Sequence, residues 1–235
     1  MKKILYTICS LCILGLAGCF NITDEIFLEE KGSGRFQTTI DMSGMKDMIT
    51  MLKTMMPDSL KDKGEGMEGL NSLDSLQTMW KELESIPGIS EVKREKKEDM
   101  VFTMSFRFAD IKALNAAMAT RNKKDSTSTI PAGDFFTFKK GQLICNDTTM
   151  AGMGDAMKGL ESGGAGADST GMDLSMMKTM MGDMKYTTIY HMPGKIVDYT
   201  NKKAKLSDDG KTITIEINLS ESEGAQTLQN DIKYK

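Results

Sequence analysis

Thiol and imidazole groups are the side chains most able to do covalent or acid–base chemistry, and the chain carries few of them. It has 4 cysteines and 1 histidine in 235 residues. Nucleophilic catalysis of the Ser-His-Asp or Cys-His kind needs a histidine beside the nucleophile, and no such arrangement is indicated around His191. Because His191 and Met192 are neighbours on a predicted strand, they point to opposite faces and are poorly placed to share a metal ion. We therefore expect no catalytic residues, no cofactor and no metal site.

The amino-terminal segment predicts export and lipid attachment. A positively charged start and an apolar stretch over residues 4–14 are typical of a secretory signal, and the stretch is too short for a stable transmembrane helix. The next four residues, Leu16-Ala17-Gly18-Cys19, resemble the lipobox of bacterial lipoproteins. That resemblance implies cleavage before Cys19, diacylglycerol on its sulfur and acylation of the new amino terminus. Such acyl chains would hold the protein stably on a membrane.

The remaining cysteines agree with this interpretation. Cys9 and Cys12 would leave with the signal peptide, so only Cys145 would keep its thiol, and no internal disulfide could form. Cys145 ends the apolar run Gln-Leu-Ile-Cys and is predicted to be a buried structural thiol. Phe20 rather than an aspartate follows Cys19, so the usual inner-membrane retention signal is missing. We expect a protein of the cell envelope, in the outer membrane of a Gram-negative bacterium.

Methionine is over-represented, with 22 residues in the chain. Most lie in two segments, 45–56 and 172–184, whose spacing of three and four residues predicts amphipathic helices. The apolar stripe of the second helix is Met176, Met177, Met180, Met181 and Met184. Three interpretations stay open: filling of the core, a pliable apolar surface that binds lipid or a partner protein, and copper(I) coordination by thioethers.

The overall composition excludes some classes of function. The formal net charge is −3, and no basic patch with interleaved aromatic residues occurs. Nucleic-acid binding therefore has no support. The glycine-rich run Gly163-Gly164-Ala165-Gly166 lacks the following Lys-Ser/Thr of a phosphate-binding loop.

Apolar periodicity predicts an α+β fold. Alternating residues indicate strands over 34–42, 89–94, 100–108, 135–139, 142–146, 186–192, 196–200, 203–207 and 211–219, and an additional short helix follows Asp110. Because most strands join through tight turns, we expect a mostly antiparallel sheet with the amphipathic methionine-rich helices packed on one face.

The predicted organisation has four parts. Residues 1–18 are the signal peptide, and 19–32 form a lipidated tether. Residues 33–220 form one domain with a flexible glycine-rich insertion at 150–172. Residues 221–235 are a polar tail that is expected to fray.

Residues 186–219 carry a second resemblance. Tyr190-His191-Met192-Pro193-Gly194-Lys195-Ile196-Val197, then Asn201, then Asp209-Gly210-Lys211-Thr212-Ile213-Thr214-Ile215, are similar to the LppM-type lipoprotein domain. The resemblance implies an α+β fold and a role in binding lipid or an envelope component. It covers about 35 residues of the chain and identifies no functional residue.

Two main hypotheses of function result from these patterns. The first is a non-enzymatic, membrane-anchored envelope lipoprotein that binds an apolar ligand or a partner protein. The second is a structural or assembly component of the envelope without a small ligand. Copper(I) handling by the methionine-rich helices is a third.

Overall fold

The structure, a computed structural model, describes residues 21–46, 82–97, 100–122, 134–146, 184–218 and 228–235. A 3-10 turn, Ser43–Met45, and helix α1, Ile111–Asn122, accompany the strands. The strands are β1 Asn21–Leu28, β2 Gly34–Asp41, β3 Ile89–Lys97, β4 Val101–Phe108, β5 Phe136–Lys139, β6 Gln142–Cys145, β7 Lys185–His191, β8 Ile196–Tyr199, β9 Lys205–Leu206, β10 Thr212–Asn218 and β11 Asn230–Tyr234.

These strands form two sheets. Sheet A has seven strands in the order β3-β4-β2-β1-β7-β10-β9, and sheet B has four in the order β5-β6-β11-β8. Neighbouring strands are antiparallel except for the β1–β7 pair, which is parallel. Buried side chains from both sheets and from α1 belong to one apolar core.

The predicted α+β class is wrong, because the described part of the chain is mostly β. The helix described between β4 and β5 is α1, which is not one of the methionine-rich segments, and a second sheet contributes to the core. The strands predicted by alternation are confirmed, including β4 and the hairpin of β9 and β10. The prediction was wrong about what packs on the sheet: it expected methionine-rich helices there. Periodicity predicts single elements but does not show which elements pack against each other.

The predicted tether and tail are also wrong over part of their length. Asn21–Leu28, assigned to the tether, is β1 in the middle of sheet A, and Asn230–Tyr234, assigned to the polar tail, is β11 in sheet B. Both strands alternate buried with less buried residues. Asp24 and Asn230 occupy inward positions and interrupt the apolar alternation of these strands. The two segments therefore have the sequence pattern of loops.

The start of α1 is explained by a local hydrogen bond. Asp110 precedes the helix, and its Oδ1 accepts a hydrogen bond from the backbone amide of Ala113 at 2.9 Å. A carboxylate at this position satisfies an amide that has no partner within the helix. The helix predicted after Asp110 is thereby confirmed, and its buried Leu114 and Ala117 join the core.

Candidate functional site

One end of sheet A gathers the features most relevant to function, and we call it the Asn21 end. In the strand register Asn21 lies opposite Asp41 on one side and Lys185 on the other. Beyond Asp41 the row continues to Val101 on β4 and Lys97 on β3. Beyond Lys185 it continues to Asn218 on β10. The six residues of the row are Lys97, Val101, Asp41, Asn21, Lys185 and Asn218. In the sequence, Cys19 stands two residues before Asn21.

Charged side chains of both signs lie near the Asn21 end, with Glu95 and Glu216 exposed beside the lysines. Lys46, Lys96 and Lys97 are exposed, and Lys185 is half-buried. Lys185 Nζ lies 3.5 Å from Glu216 Oε1, two residues in from the end. Lys96 Nζ lies 5.6 Å from the centre of the Phe102 ring, a cation–π arrangement that leaves the ammonium group near water.

The acidic group in this row is held locally. Asp41 Oδ1 accepts hydrogen bonds from the backbone amide of Ser43 at 2.9 Å and from its hydroxyl at 2.6 Å. Such a turn fixes the direction in which the chain leaves β2. The carboxylate of Asp41 therefore has a structural partner of its own.

Three methionines are within one residue of the strand ends at the Asn21 end. Met42, Met100 and Met184 are half-buried, and the backbone amide of Met42 donates to the carbonyl of Met100 at 3.2 Å. Of the methionines predicted to form an apolar binding surface, Met184 is described and packs partly against the core. Met176, Met177, Met180 and Met181 lie outside the described residues, as do Leu16, Ala17, Gly18 and Cys19.

A buried polar cluster lies just inside the Asn21 end. Asp24 is 3% exposed and faces the core of sheet A between Thr38 on β2 and Thr188 on β7. The hydroxyl of Tyr186 donates to Asp24 Oδ2 at 2.5 Å. A buried carboxylate is costly without such donors. Sequence reasoning missed this cluster because Asp24 was assigned to the tether. The alternation of Ile22, Ile26 and Leu28 was the signal that could have revealed it.

The opposite face of sheet A carries the histidine. His191 Nε2 lies 3.2 Å from Glu25 Oε2, and its Nδ1 lies 3.3 Å from Thr212 Oγ1. Phe27 stacks on the imidazole ring with centroids 4.2 Å apart, and Arg35 Cζ lies 4.2 Å from the centre of the Phe27 ring.

This carboxylate, imidazole and hydroxyl have the order of a catalytic triad. His191 and Thr212 are, however, paired in the register of β7 and β10, and Glu25 on β1 lies two residues from that row on the same face, where diagonal cross-strand neighbours ordinarily touch. The contacts to Phe27 and Glu25 fix the ring and account for its position. As predicted, Met192 points elsewhere, since it is buried while His191 is half-exposed.

Cys145 lies where the sequence predicted. It is 1% exposed at the end of β6 and belongs to the core, which confirms the interpretation of a buried structural thiol. Among the described ranges, no three His, Cys, Asp or Glu side chains are grouped so as to hold a metal ion. Within those ranges, too, no helix has the length and apolar character needed to span a membrane.

Comparisons with known proteins place few limits on function. No protein-family model matches the sequence, and no curated protein matches it significantly. Among solved structures, the chain is similar to the folded domain of Mycobacterium tuberculosis LppM, determined by NMR. The two are 9% identical with a TM-score of 0.38, over 93% of this chain and 90% of the other. A likeness at this level carries no argument about function, which must be inferred from the residues of this chain.

Proposed function

We propose that this protein is a non-enzymatic lipoprotein of the cell envelope, attached to a membrane through lipid on Cys19. The sequence support is Leu16-Ala17-Gly18-Cys19 after an apolar stretch. The proposal rests on this motif, and the structure adds that β1 starts at Asn21. Two residues of extended chain span at most about 7 Å. Lipid on Cys19 would therefore hold the central strand of sheet A, and with it the domain, close to the bilayer.

The lipid anchor is tested by intact mass spectrometry of protein extracted from membranes of a bacterial host. We expect the mass of residues 19–235 plus diacylglycerol and an amino-terminal acyl chain. Cys19→Ala should abolish the lipid mass, while Cys145→Ser should keep it, because Cys145 lies in the core. Wild-type protein recovered without lipid from the soluble fraction would refute the proposal.

The finer proposal is that the domain binds an apolar ligand or a partner protein. It is supported by the methionine-rich segments of the sequence, since flexible thioether side chains adapt to apolar partners. Native mass spectrometry of gently extracted protein should show copurified lipid or a stoichiometric partner. Protein that carries neither under conditions that keep it folded would favour the alternative of a structural envelope component. Cell fractionation separately tests the outer-membrane location that we expect from the sequence.

A further inference from the structure

We infer that β1 resists pulling along its own axis, so that a lipid anchor on Cys19 stays attached to a folded domain under tension. This inference rests on the proposed lipid anchor and concerns the strand that the anchor would pull on. Cys19 stands two residues before Asn21, the first residue of β1. Because so short a segment has little slack, tension on the lipid would pass directly into the strand.

Strand β1 is paired along both of its edges. All of its residues, Asn21–Leu28, lie in register with β2, and those from Asn21 to Phe27 also lie in register with β7. A pull along the strand would load both ladders of hydrogen bonds together, because those bonds run mostly across the direction of the pull. A pull across the strands would instead load the bonds at one end first and break them one after another.

Side chains on both faces of β1 also oppose sliding. On the inner face, Asp24 accepts the hydrogen bond of Tyr186 on β7. On the outer face, Glu25 Oε2 lies 3.2 Å from His191 Nε2 on β7, and Glu25 Oε1 accepts a hydrogen bond of 3.3 Å from Gln37 on β2. Because side chains alternate between faces, a slide that keeps inward residues inward moves β1 by two positions and breaks these contacts.

The far end of β1 is closed onto its neighbour. The backbone amide of Glu29 donates to the carbonyl of Ser33 at 2.8 Å, and Arg107 on β4 lies 2.7 Å from the Glu29 carboxylate. β1 therefore cannot slide toward the anchor without opening this turn or drawing β2 with it. Since β2 is paired with β4 over its whole length, Gly34–Asp41, the pull is passed on into sheet A.

The test is a pulling experiment with optical tweezers on residues 19–235. One DNA handle is attached to the sulfur of Cys19, in place of the proposed lipid. Cys145 is 1% exposed and should not compete for the handle in the folded protein. The second handle is attached through Lys211→Cys or, as the matched control, through Glu216→Cys, which are both exposed positions at or beside β10.

The two handle positions change the direction of the pull relative to the strands. Lys211 precedes Thr212, which begins β10 at the Leu28 end of sheet A, so a pull between positions 19 and 211 runs along β1, β7 and β10. Glu216 pairs with Thr187 near the Asn21 end, so a pull between positions 19 and 216 runs across the same three strands. We expect a severalfold higher rupture force with the handle at 211, because whole ladders must break together.

A second comparison addresses the side-chain contacts. Tyr186→Phe should lower the rupture force measured at 211, because it removes a hydrogen bond that joins β7 to β1. Tyr234→Phe, on β11 of sheet B, should leave that force unchanged.

The outcomes separate this inference from the lipid anchor. Equal rupture forces at 211 and 216 overturn the inference, even if mass spectrometry finds lipid on Cys19. If mass spectrometry finds no lipid, the proposed anchor is refuted and the mechanical role of β1 is refuted with it, whatever the two forces are. A higher force at 211, in a protein that carries lipid on Cys19, supports both.

Discussion

The two ends of sheet A are built in different ways. At the Leu28 end, the β1–β2 turn closes through backbone hydrogen bonds between Glu29 and Ser33 at 2.8 Å and between Gly32 and Glu29 at 3.0 Å. At the Asn21 end, the chain leaves β2 through residues 42–46 and enters β7 from residue 184. These two segments are far apart in the sequence. The β1–β2 turn thus supports the strand register at the Leu28 end. At the Asn21 end, β3 and β4 pair as far as Lys97 and Val101, and the backbone amide of Met42 donates to the carbonyl of Met100 at 3.2 Å.

The difference suggests a division of roles between the two ends. We expect the Leu28 end to be sensitive to added side-chain volume, because the closely packed strands leave no space for extra atoms. We expect the exposed charged side chains near the Asn21 end to contribute less to stability, because solvent screens them. Substitutions at matched positions test this division.

The largest expected effect is that of Gly34→Ala at the Leu28 end. A Cβ atom there would lie 2.1 Å from the carbonyl oxygen of Phe27 and 2.6 Å from Cζ of Phe108, so strands must move apart. We expect a loss of about 3 kcal/mol in the free energy of unfolding, measured by urea titration.

Gly210→Ala is the matched control for that substitution. Gly210 has φ +69°, and nothing lies within 4 Å of a Cβ built there. Only the left-handed backbone conformation opposes alanine, at a cost of about 1 kcal/mol. Equal losses at positions 34 and 210 would contradict the packing argument.

A smaller effect is expected inside the Asn21 end, from Tyr186→Phe. This change removes the hydroxyl that donates to buried Asp24. We expect a loss of about 2 kcal/mol in unfolding free energy, since a buried carboxyl group loses a hydrogen-bond donor.

Tyr234→Phe is the control for Tyr186→Phe. Among the described residues, no carboxylate accepts a hydrogen bond from the buried hydroxyl of Tyr234. Its removal should leave stability unchanged or raise it slightly. Similar thermal unfolding curves for the two variants would argue against the Tyr186–Asp24 bond as a stabilising contact.

The smallest expected effect is at the exposed pair of the Leu28 end. Hydrogen bonds from Ser33 and Arg107 lower the pKa of Glu29 below its ordinary value of 4.5. A depressed pKa means that the stabilisation is present above about pH 4.5 and is lost as the pH falls through the folded-state value. Because the Arg107 and Glu29 side chains are 41% and 49% exposed, solvent screens the pair, and Glu29→Gln should cost only about 0.5 kcal/mol at pH 7.

The measurement for this pair is the free energy of unfolding as a function of pH. The parent protein should lose its advantage over Glu29→Gln as the pH falls below 4.5. The two curves should also converge at high salt, which screens exposed ion pairs. A difference that persists in acid and in salt would show that Glu29 stabilises the turn by some means other than its charge.

Strands with a regular apolar alternation could be predicted from the sequence. Phe106 and Phe108 on β4, and Ile213 and Ile215 on β10, face the core as their spacing indicates. The helix after Asp110 could also be predicted, because its capping bond joins residues three apart. In each case neighbours in the chain supply the decisive contacts.

The candidate site was predictable only in part. Cys19 and the residues before it form a short motif that can be recognised in the sequence. The placement of Lys97 and Lys185 in the same register row as Asn21 cannot be recognised there. Those lysines reach the row of Asn21 through β2 and β4 on one side and through β7 on the other. The sequence predicted an apolar binding surface on the methionine stripe at 172–184. Of that stripe, Met184 is described and packs partly against the core.

What the sequence by itself determined is local: alternating strands, the cap of α1, the tight turns and the lipobox-like motif. What only the tertiary structure decided is how distant segments pair. β1 and β7 lie side by side although Asp24 and Tyr186 are 162 residues apart in the chain. Long-range pairing of this kind depends on the burial and hydrogen bonds gained when the whole sheet forms. A buried aspartate that looks like part of a loop in the sequence can therefore belong to the central strand of the sheet.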